Sequence, residues 1–558
     1  MPKNIVICSD GTGNTANKDR GTNVFKIFEA IDLRSEKFPA PRDPGKTVDR
    51  QVTIYDDGVG SQDFIVFKIL GGAFGWGLKR NVKKLYTELA RAYEPGDNLY
   101  LFGFSRGGFT IRTLIGFIAS CGIPKKSYFS NQDELERLVD DAYKCHQQKY
   151  RSRLNQLCFP GWFYEWLPKG FLKWLPRFIS LRLPFGVVYD PESYHQKPPI
   201  RFIGAWDTVS AVGLPFKGAT NFWNEWVYRF SFRDNNLYEK VEKACQALSI
   251  DDERQTFHPE LWNEDPAAYP NKTEEDWNSE WIEQVWFPGV HSNVGGGYPK
   301  QGMSLVTLHW MMVRAHEAGL LFIDQDWDAV REHGNISDKL YDSRAGIAFF
   351  YRYLPRNILA MSSQKKNEHY KVCIDTIKVH ECLKERIDLG TEGYAPGNLP
   401  PEFLLVRDIP GDHDQYSYSR KVFNGADPKK ETRLWKELQP FVDLMRQAYY
   451  LFLVTTLLGV FFYVRDLFRV AGSHLAASKV TRPDCWQTLG QAWEDFKLFD
   501  LLWSFVSNPY LLAGLGTALA ATALIRFKMA KLRTNFWMPY RRISTTRSIG
   551  KKIPAATP

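Results

Sequence analysis

Short apolar runs alternate with stretches of helical spacing through the first third of the chain. Asn4-Ile5-Val6-Ile7-Cys8 has strand character and ends in the loop cluster Asp10-Gly11-Thr12-Gly13-Asn14. A helix is predicted over residues 24–31 and a second strand over 52–55, closed by Asp56-Asp57-Gly58. Residues 81–93 form an amphipathic helical pattern, Pro95-Gly96-Asp97 a turn, 99–102 a strand and 109–119 an apolar helix. Two later runs, 202–206 and 285–287, extend the series, and the second leads into Pro288-Gly289-Val290-His291. Strands alternating with helices predict an α/β domain: a mainly parallel sheet with helices on both faces.

Three regions depart from that alternation. Residues 124–198 hold an aromatic run between 159 and 185, with Trp162, Trp166 and Trp174 interleaved with Lys169, Lys173, Arg177 and Arg182. This segment reads as a cap or lid, either buried on the domain or lying at a lipid headgroup boundary. Residues 331–440 read as a helical or irregular extension. Beyond them, residues 447–464 and 501–525 are uncharged runs of 18 and 25 residues. A hydrocarbon core needs roughly 20 apolar residues to be spanned by a helix. Residues 441–530 are therefore expected to form a transmembrane helical hairpin, with a buried helical pair as the alternative. Basic residues flank its outer ends, which places both ends in the cytoplasm by the positive-inside rule.

Composition sharpens this picture in two places. The net charge of +9 belongs to the last 33 residues, where nine Lys or Arg and no acid occur. The remainder holds 63 basic and 63 acidic residues, so it lacks the basic face that a nucleic-acid-binding domain requires. The eight cysteines include no CxxC pair, which argues against a zinc site or a disulfide framework and for a reducing compartment. The opening Met1-Pro2-Lys3 runs directly into a strand, so no secretory leader is expected. No metal or cofactor is expected either.

Gly103-Phe104-Ser105-Arg106-Gly107 matches GxSxG, with an apolar strand before it and a helix after it. That is the context of a nucleophile elbow. The serine occupies a strained turn, and Gly103 and Gly107 let the crossing backbones approach. A serine hydroxyl needs a histidine to take its proton and an acid to orient that histidine. His291, in a polar glycine-rich loop after the last strand, is the expected base. Asp207, at the end of the strand 202–206, is the expected acid. Asp251 and Asp252 are the alternatives, unless they form a structural ion-pair cluster with Glu253 and Arg254. The oxyanion hole should draw one backbone N–H from Arg106 and one from Gly11 or Thr12. A phosphatase built on Asp10-Gly11-Thr12 is excluded, because Cys8 stands where its nucleophilic acid belongs.

Five motifs then occur in order: CSDGTGN at 8–14, FGFSRGGF at 102–109, IGAWDTV at 203–209, LSIDDERQ at 248–255 and WFPGVHSNVGGGY at 286–298. Over residues 4–310 the chain resembles the uncharacterised α/β-hydrolase family that includes the type VI secretion phospholipase effectors of the first lipase class. The resemblance implies a hydrolase core over 1–123 and 199–330, phospholipase activity, and Ser105, Asp207 and His291 as the triad. Together with the apolar hairpin and the basic tail (531–558), it predicts a membrane-associated enzyme cleaving lipid acyl esters. Alternative readings are an esterase for a soluble substrate, and a membrane interaction protein that keeps a degenerate hydrolase fold. A secretion apparatus and an immunity partner follow as expectations if the protein is an effector.

Overall fold

The structure is a computed structural model that describes residues 2–11, 21–33, 39–40, 43–47, 50–58, 73–148, 189–195, 198–210, 235–366, 369–400, 402–408, 413–416, 433–477, 505–538 and 541. The chain divides into two units, one of residues 1–343, 356–432 and 540–558, the other of 344–355 and 433–539.

The first unit is organised by strands whose side chains are buried in both directions. In β1 (Asn4–Ser9), Ile5 and Ile7 enter one core while Val6 and Cys8 enter another. The period of two along a strand makes this split obligatory once both faces are covered. The same division holds in the strand Asn98–Phe104, where Leu99 and Leu101 oppose Tyr100, Phe102 and Phe104. With β2 (Gln51–Asp56), β3 (Asn98–Phe104), β4 (Ile200–Trp206), β5 (Val241–Ser249) and β6 (Ile282–Phe287), these form the body of the sheet. Residues 331–440, expected as a helical or irregular extension, add β7 (Lys378–His380), β8 (Phe403–Val406) and β9 (His413–Tyr416) to it. These strands of three or four residues are too short to carry a periodic signal.

The order across the sheet is β9-β8-β7-β6-β5-β4-β3-β1-β2. Among the described residues, eight strands of this sheet are mutually parallel and β9 runs antiparallel to its neighbour β8. On one face lie the helices α1 (Ala73–Ala92), α2 (Arg106–Cys121) and α3 (Gln132–Gln148). On the other lie α4 (Asn23–Ala30), α5 (Gly302–Glu317) and α6 (Asp324–His333). This is an α/β-hydrolase-like fold. Residues 132–148, assigned from sequence to a cap, pack into the main core through Leu135, Val139 and Ala142. The aromatic run expected as the rest of that cap lies outside the described residues.

From β1 the chain goes to β2 on one side and then to β3 on the other. The strand order therefore reverses between β1 and β3, a topological switch point of the kind at whose carboxyl ends open α/β sheets bind their ligands. The frame behind it is tied by a buried ion pair. Arg314 of α5 donates to both carboxylate oxygens of Glu283 in β6, at 3.2 and 3.0 Å.

The second unit holds α7 (Arg433–Ala477) and α8 (Pro509–Trp537). Leu434, Leu438, Val442 and Met445 face Ile525, Met529 and Tyr353. Leu457, Leu458 and Phe461 on α7 and Leu512, Leu519, Leu524 and Phe527 on α8 are exposed. Within the expected span at 501–525, residues 501–504 lie outside the described residues, 505–507 are helical, and α8 follows after a break at Asn508. Asn508 caps α8 by accepting from the N–H groups of Tyr510 and Leu511, and Pro509 occupies the first turn. Proline suits that position because its missing N–H has no intrahelical partner there.

Arg314→Met leaves the Glu283 carboxylate with Lys243 and the Cys245 thiol but without its bidentate partner, and breaking a buried pair from one side is costly. Urea unfolding should show a loss of about 3 kcal/mol in the first unit.

Candidate active site

The elbow is a crossing of backbones. A Cβ on Gly107 would stand 2.0 Å from the Ser9 carbonyl oxygen and 2.6 Å from that of Asp10. One on Gly103 would stand 2.7 Å from the Gly107 backbone. Only glycine permits these approaches, and they force Ser105 into φ 58°, ψ −123°, a region other residues rarely adopt. Its N–H donates to the Trp206 carbonyl (3.0 Å), and its own carbonyl accepts from Val209 (3.3 Å). Ser105 is thus fixed between the end of β3 and the turn after β4.

That turn carries Asp207, also at positive φ (40°) and fully buried. Its N–H donates to the Ala247 carbonyl of β5 at 2.8 Å. Asp207 Oδ2 lies 2.6 Å from His291 Nδ1. The contact occupies the Nδ1 side of the imidazole and leaves Nε2 on the opposite side. The ring itself is held between Phe104 (4.6 Å between ring centres) and Phe257 (5.0 Å, edge-on). Ser105, Asp207 and His291 therefore come from the carboxyl ends of β3, β4 and β6. Phe104, whose ring packs on the His291 imidazole, immediately precedes Ser105 in the chain.

The alternative acids serve the histidine loop instead. Asp251 Oδ2 accepts from the Gly289 N–H (2.7 Å) and from the Tyr394 hydroxyl (2.8 Å). Asp252 Oδ2 accepts from the His291 backbone N–H (3.2 Å) and from Arg254 Nη2 (2.7 Å). Neither carboxylate meets the imidazole in the contacts described.

Of the expected oxyanion donors, Arg106 opens α2 immediately after the serine. The Gly11 N–H is taken by the Asp10 carboxylate at 2.6 Å. Asp10 Oδ2 also accepts from Thr22 Oγ1 (2.6 Å) and the Tyr55 hydroxyl (2.8 Å), which anchors the loop after β1. Thr12 lies outside the described residues.

Two partners of Asp207 were not expected from sequence. Ser249 gives it a backbone N–H (3.0 Å) and its hydroxyl (3.2 Å), and Arg356 forks both of its oxygens. Ser249 lies inside the LSIDDERQ motif, so a signal for it existed. Arg356 lies in the stretch read as an extension, and nothing local marks it. Burial by itself would raise the Asp207 pKa. The charge and hydrogen bonds of Arg356, with a smaller part from His291, reverse this and hold the carboxyl well below its usual range. Burial lowers the His291 pKa, and the bond and charge of Asp207 offset only part of that. The pair therefore rests as carboxylate and neutral imidazole, the state a proton acceptor needs.

Residues 3–314 match the family described as "T6SS, Phospholipase effector Tle1-like, catalytic domain". The chain is also similar to "Uncharacterized protein YEL023C" of Saccharomyces cerevisiae, 26% identical over 226 residues. That match covers 38% of this chain and 27% of the yeast protein, so the chain spans about a quarter of that relative. Among solved structures it aligns with an uncharacterized protein from Pseudomonas aeruginosa at a TM-score of 0.33 and 14% identity, covering 93% of this chain and 66% of the other.

Gly107→Ala forces the loop after β1 away from the elbow. Overpacking of this kind typically costs about 1–3 kcal/mol. Thermal or urea unfolding should show that loss, and the isosteric Glu136→Gln at an exposed position of α3 should not.

Proposed function

The chain belongs to the Tle1-like phospholipase effector family, and from that premise we propose that it is a membrane-associated serine hydrolase cleaving lipid acyl esters. Ser105 is the nucleophile, His291 the base and Asp207 the acid that orients it. The observation that carries this reading is the 2.6 Å contact between Asp207 Oδ2 and His291 Nδ1, beside the strained turn that holds Ser105. In the reaction, Ser105 Oγ attacks the ester carbonyl while His291 Nε2 accepts its proton. The imidazolium then returns that proton to the departing alcohol. Water, activated by the same nitrogen, hydrolyses the acyl-enzyme. The Arg106 N–H, next to the nucleophile, supplies one oxyanion donor.

The exposed apolar flanks of α7 and α8 support a lipid substrate. Large apolar surfaces left open to water mark sites that meet another apolar phase. We assign these helices to the membrane, with Arg526, Lys528, Lys531 and Arg533 near the cytoplasmic headgroups. Export by a secretion apparatus and neutralisation by an immunity partner follow from the effector family as parts of the same proposal.

The test compares wild type with Ser105→Ala on phospholipid vesicles and on a soluble short-chain ester. Wild type should hydrolyse the vesicles, and the variant should lose both activities and its labelling by a fluorophosphonate. Equal rates in the two proteins would remove the serine mechanism. Turnover confined to the soluble ester would remove the lipid substrate.

A pH profile adds an independent check. His291 must be neutral to act as base, and its pKa lies below the ordinary 6.5 because burial outweighs the pull of Asp207. Wild-type kcat/KM should rise with pH through an acidic limb centred below 6.5. An inflection above that value would contradict the assignment.

A further inference from the structure

Arg356 is fully buried, and no step of the proposed reaction passes through it. Its Nη1 donates to Asp207 Oδ1 at 2.7 Å and its Nη2 to Asp207 Oδ2 at 2.8 Å. The same nitrogens donate to the carbonyls of Ser249 and Phe257. Asn398 Nδ2 in turn donates to the Arg356 carbonyl at 3.0 Å. The fork is therefore anchored at both of its ends and along its own backbone. Asp207 Oδ2 gathers three partners: His291 Nδ1, Ser249 Oγ and Arg356 Nη2.

We propose that Arg356 is a positioning residue for the hydrolytic reaction: its fork sets the plane of the Asp207 carboxylate against His291, and its charge keeps that histidine neutral. The inference rests on the Ser105, His291 and Asp207 reading of the site.

The argument is one of charge balance in a space closed to water. A lone buried carboxylate beside an imidazole is most cheaply neutralised by a proton on that imidazole. The site would then rest as an ion pair whose base is already protonated. Arg356 supplies the opposite charge permanently, since a guanidinium does not release its proton in a protein. Among the described residues, the other charges that act on His291 are Asp252 and Arg254, and these two are paired with each other at 2.7 Å. The rings against the imidazole, Phe104 and Phe257, carry no charge. With two Asp–Arg couples complete, the site is electrically balanced with His291 neutral. The bidentate geometry also fixes the carboxylate plane, which a single point charge does not.

The test uses the full chain as wild type, Arg356→Lys and Arg356→Gln. Fluorophosphonate titration counts reactive sites, so rates refer to folded, competent molecules. On a soluble short-chain ester, kcat per titrated site in Arg356→Gln should fall on the order of 10–100-fold. KM should hold and the acidic limb should move to higher pH, because the unbalanced carboxylate now stabilises the imidazolium. Arg356→Lys keeps the charge and loses the fork, so its limb should stay near wild type while kcat remains reduced. Wild-type kcat and an unmoved limb in Arg356→Gln overturn the proposal. Equal losses in both variants with an unmoved limb also overturn it, since they describe packing alone. If Arg356→Gln yields no folded protein, wild-type kcat in Arg356→Lys is sufficient to overturn it. Failure of wild type to label, or full activity in Ser105→Ala, defeats the triad reading instead and is separate from these outcomes.

Discussion

A carboxylate removed wholly from water dictates how the centre of this protein is built. Asp207 has no solvent to satisfy its charge, so its neighbours must supply every hydrogen bond. Ser249 brings a main-chain and a side-chain donor from the end of β5, His291 comes from the end of β6, and Arg356 arrives from far along the chain. Three separated stretches of sequence must be in register before that charge is tolerable. The local backbone is bent to the same end, with Asp207 itself held at positive φ.

The parallel sheet makes this convergence possible. Strands aligned in one direction deliver their carboxyl ends to one edge, and side chains distant in sequence meet there. Pairing continues past the strand ends, from Ser105 to Trp206, from Asp207 to Ala247 and from Ile250 to Phe287. The loops of the site are therefore extensions of the sheet and inherit its rigidity. Asp251 and Asp252 complete this pattern by gripping the backbone that carries His291.

What was legible in the sequence was whatever a local pattern could encode. The elbow is a short-range device, and its glycines, serine and flanking apolar residues lie side by side. Asp207 and His291 stand at strand ends in polar loops, where composition changes sharply. The three short strands of the 378–416 region had no such signature, since too few residues alternate. The Gly11 N–H looked available as a donor, but the preceding Asp10 side chain takes it, a competition that motif spacing cannot reveal. The second apolar run is uncharged throughout, and the break at Asn508 and Pro509, which cap α8, is a local hydrogen-bond feature that hydropathy does not show. Arg356 was invisible for a different reason. Its partner is more than a hundred residues away, and the pairing exists only in three dimensions.

The route of the chain through its two units has a practical consequence. Residues 344–355 leave the hydrolase unit, pack with the helical hairpin, and return at Arg356. Within the hairpin unit Tyr353 is buried against Leu434, Leu438 and Met529, and the Tyr449 hydroxyl donates to the Phe350 carbonyl. A single cut after Thr432 therefore does not excise a self-contained hydrolase. It strands a twelve-residue loop whose aromatic side chains have lost their partners, joined by one peptide bond to the guanidinium that balances Asp207. A shortened version without the hairpin needs that loop rebuilt as well.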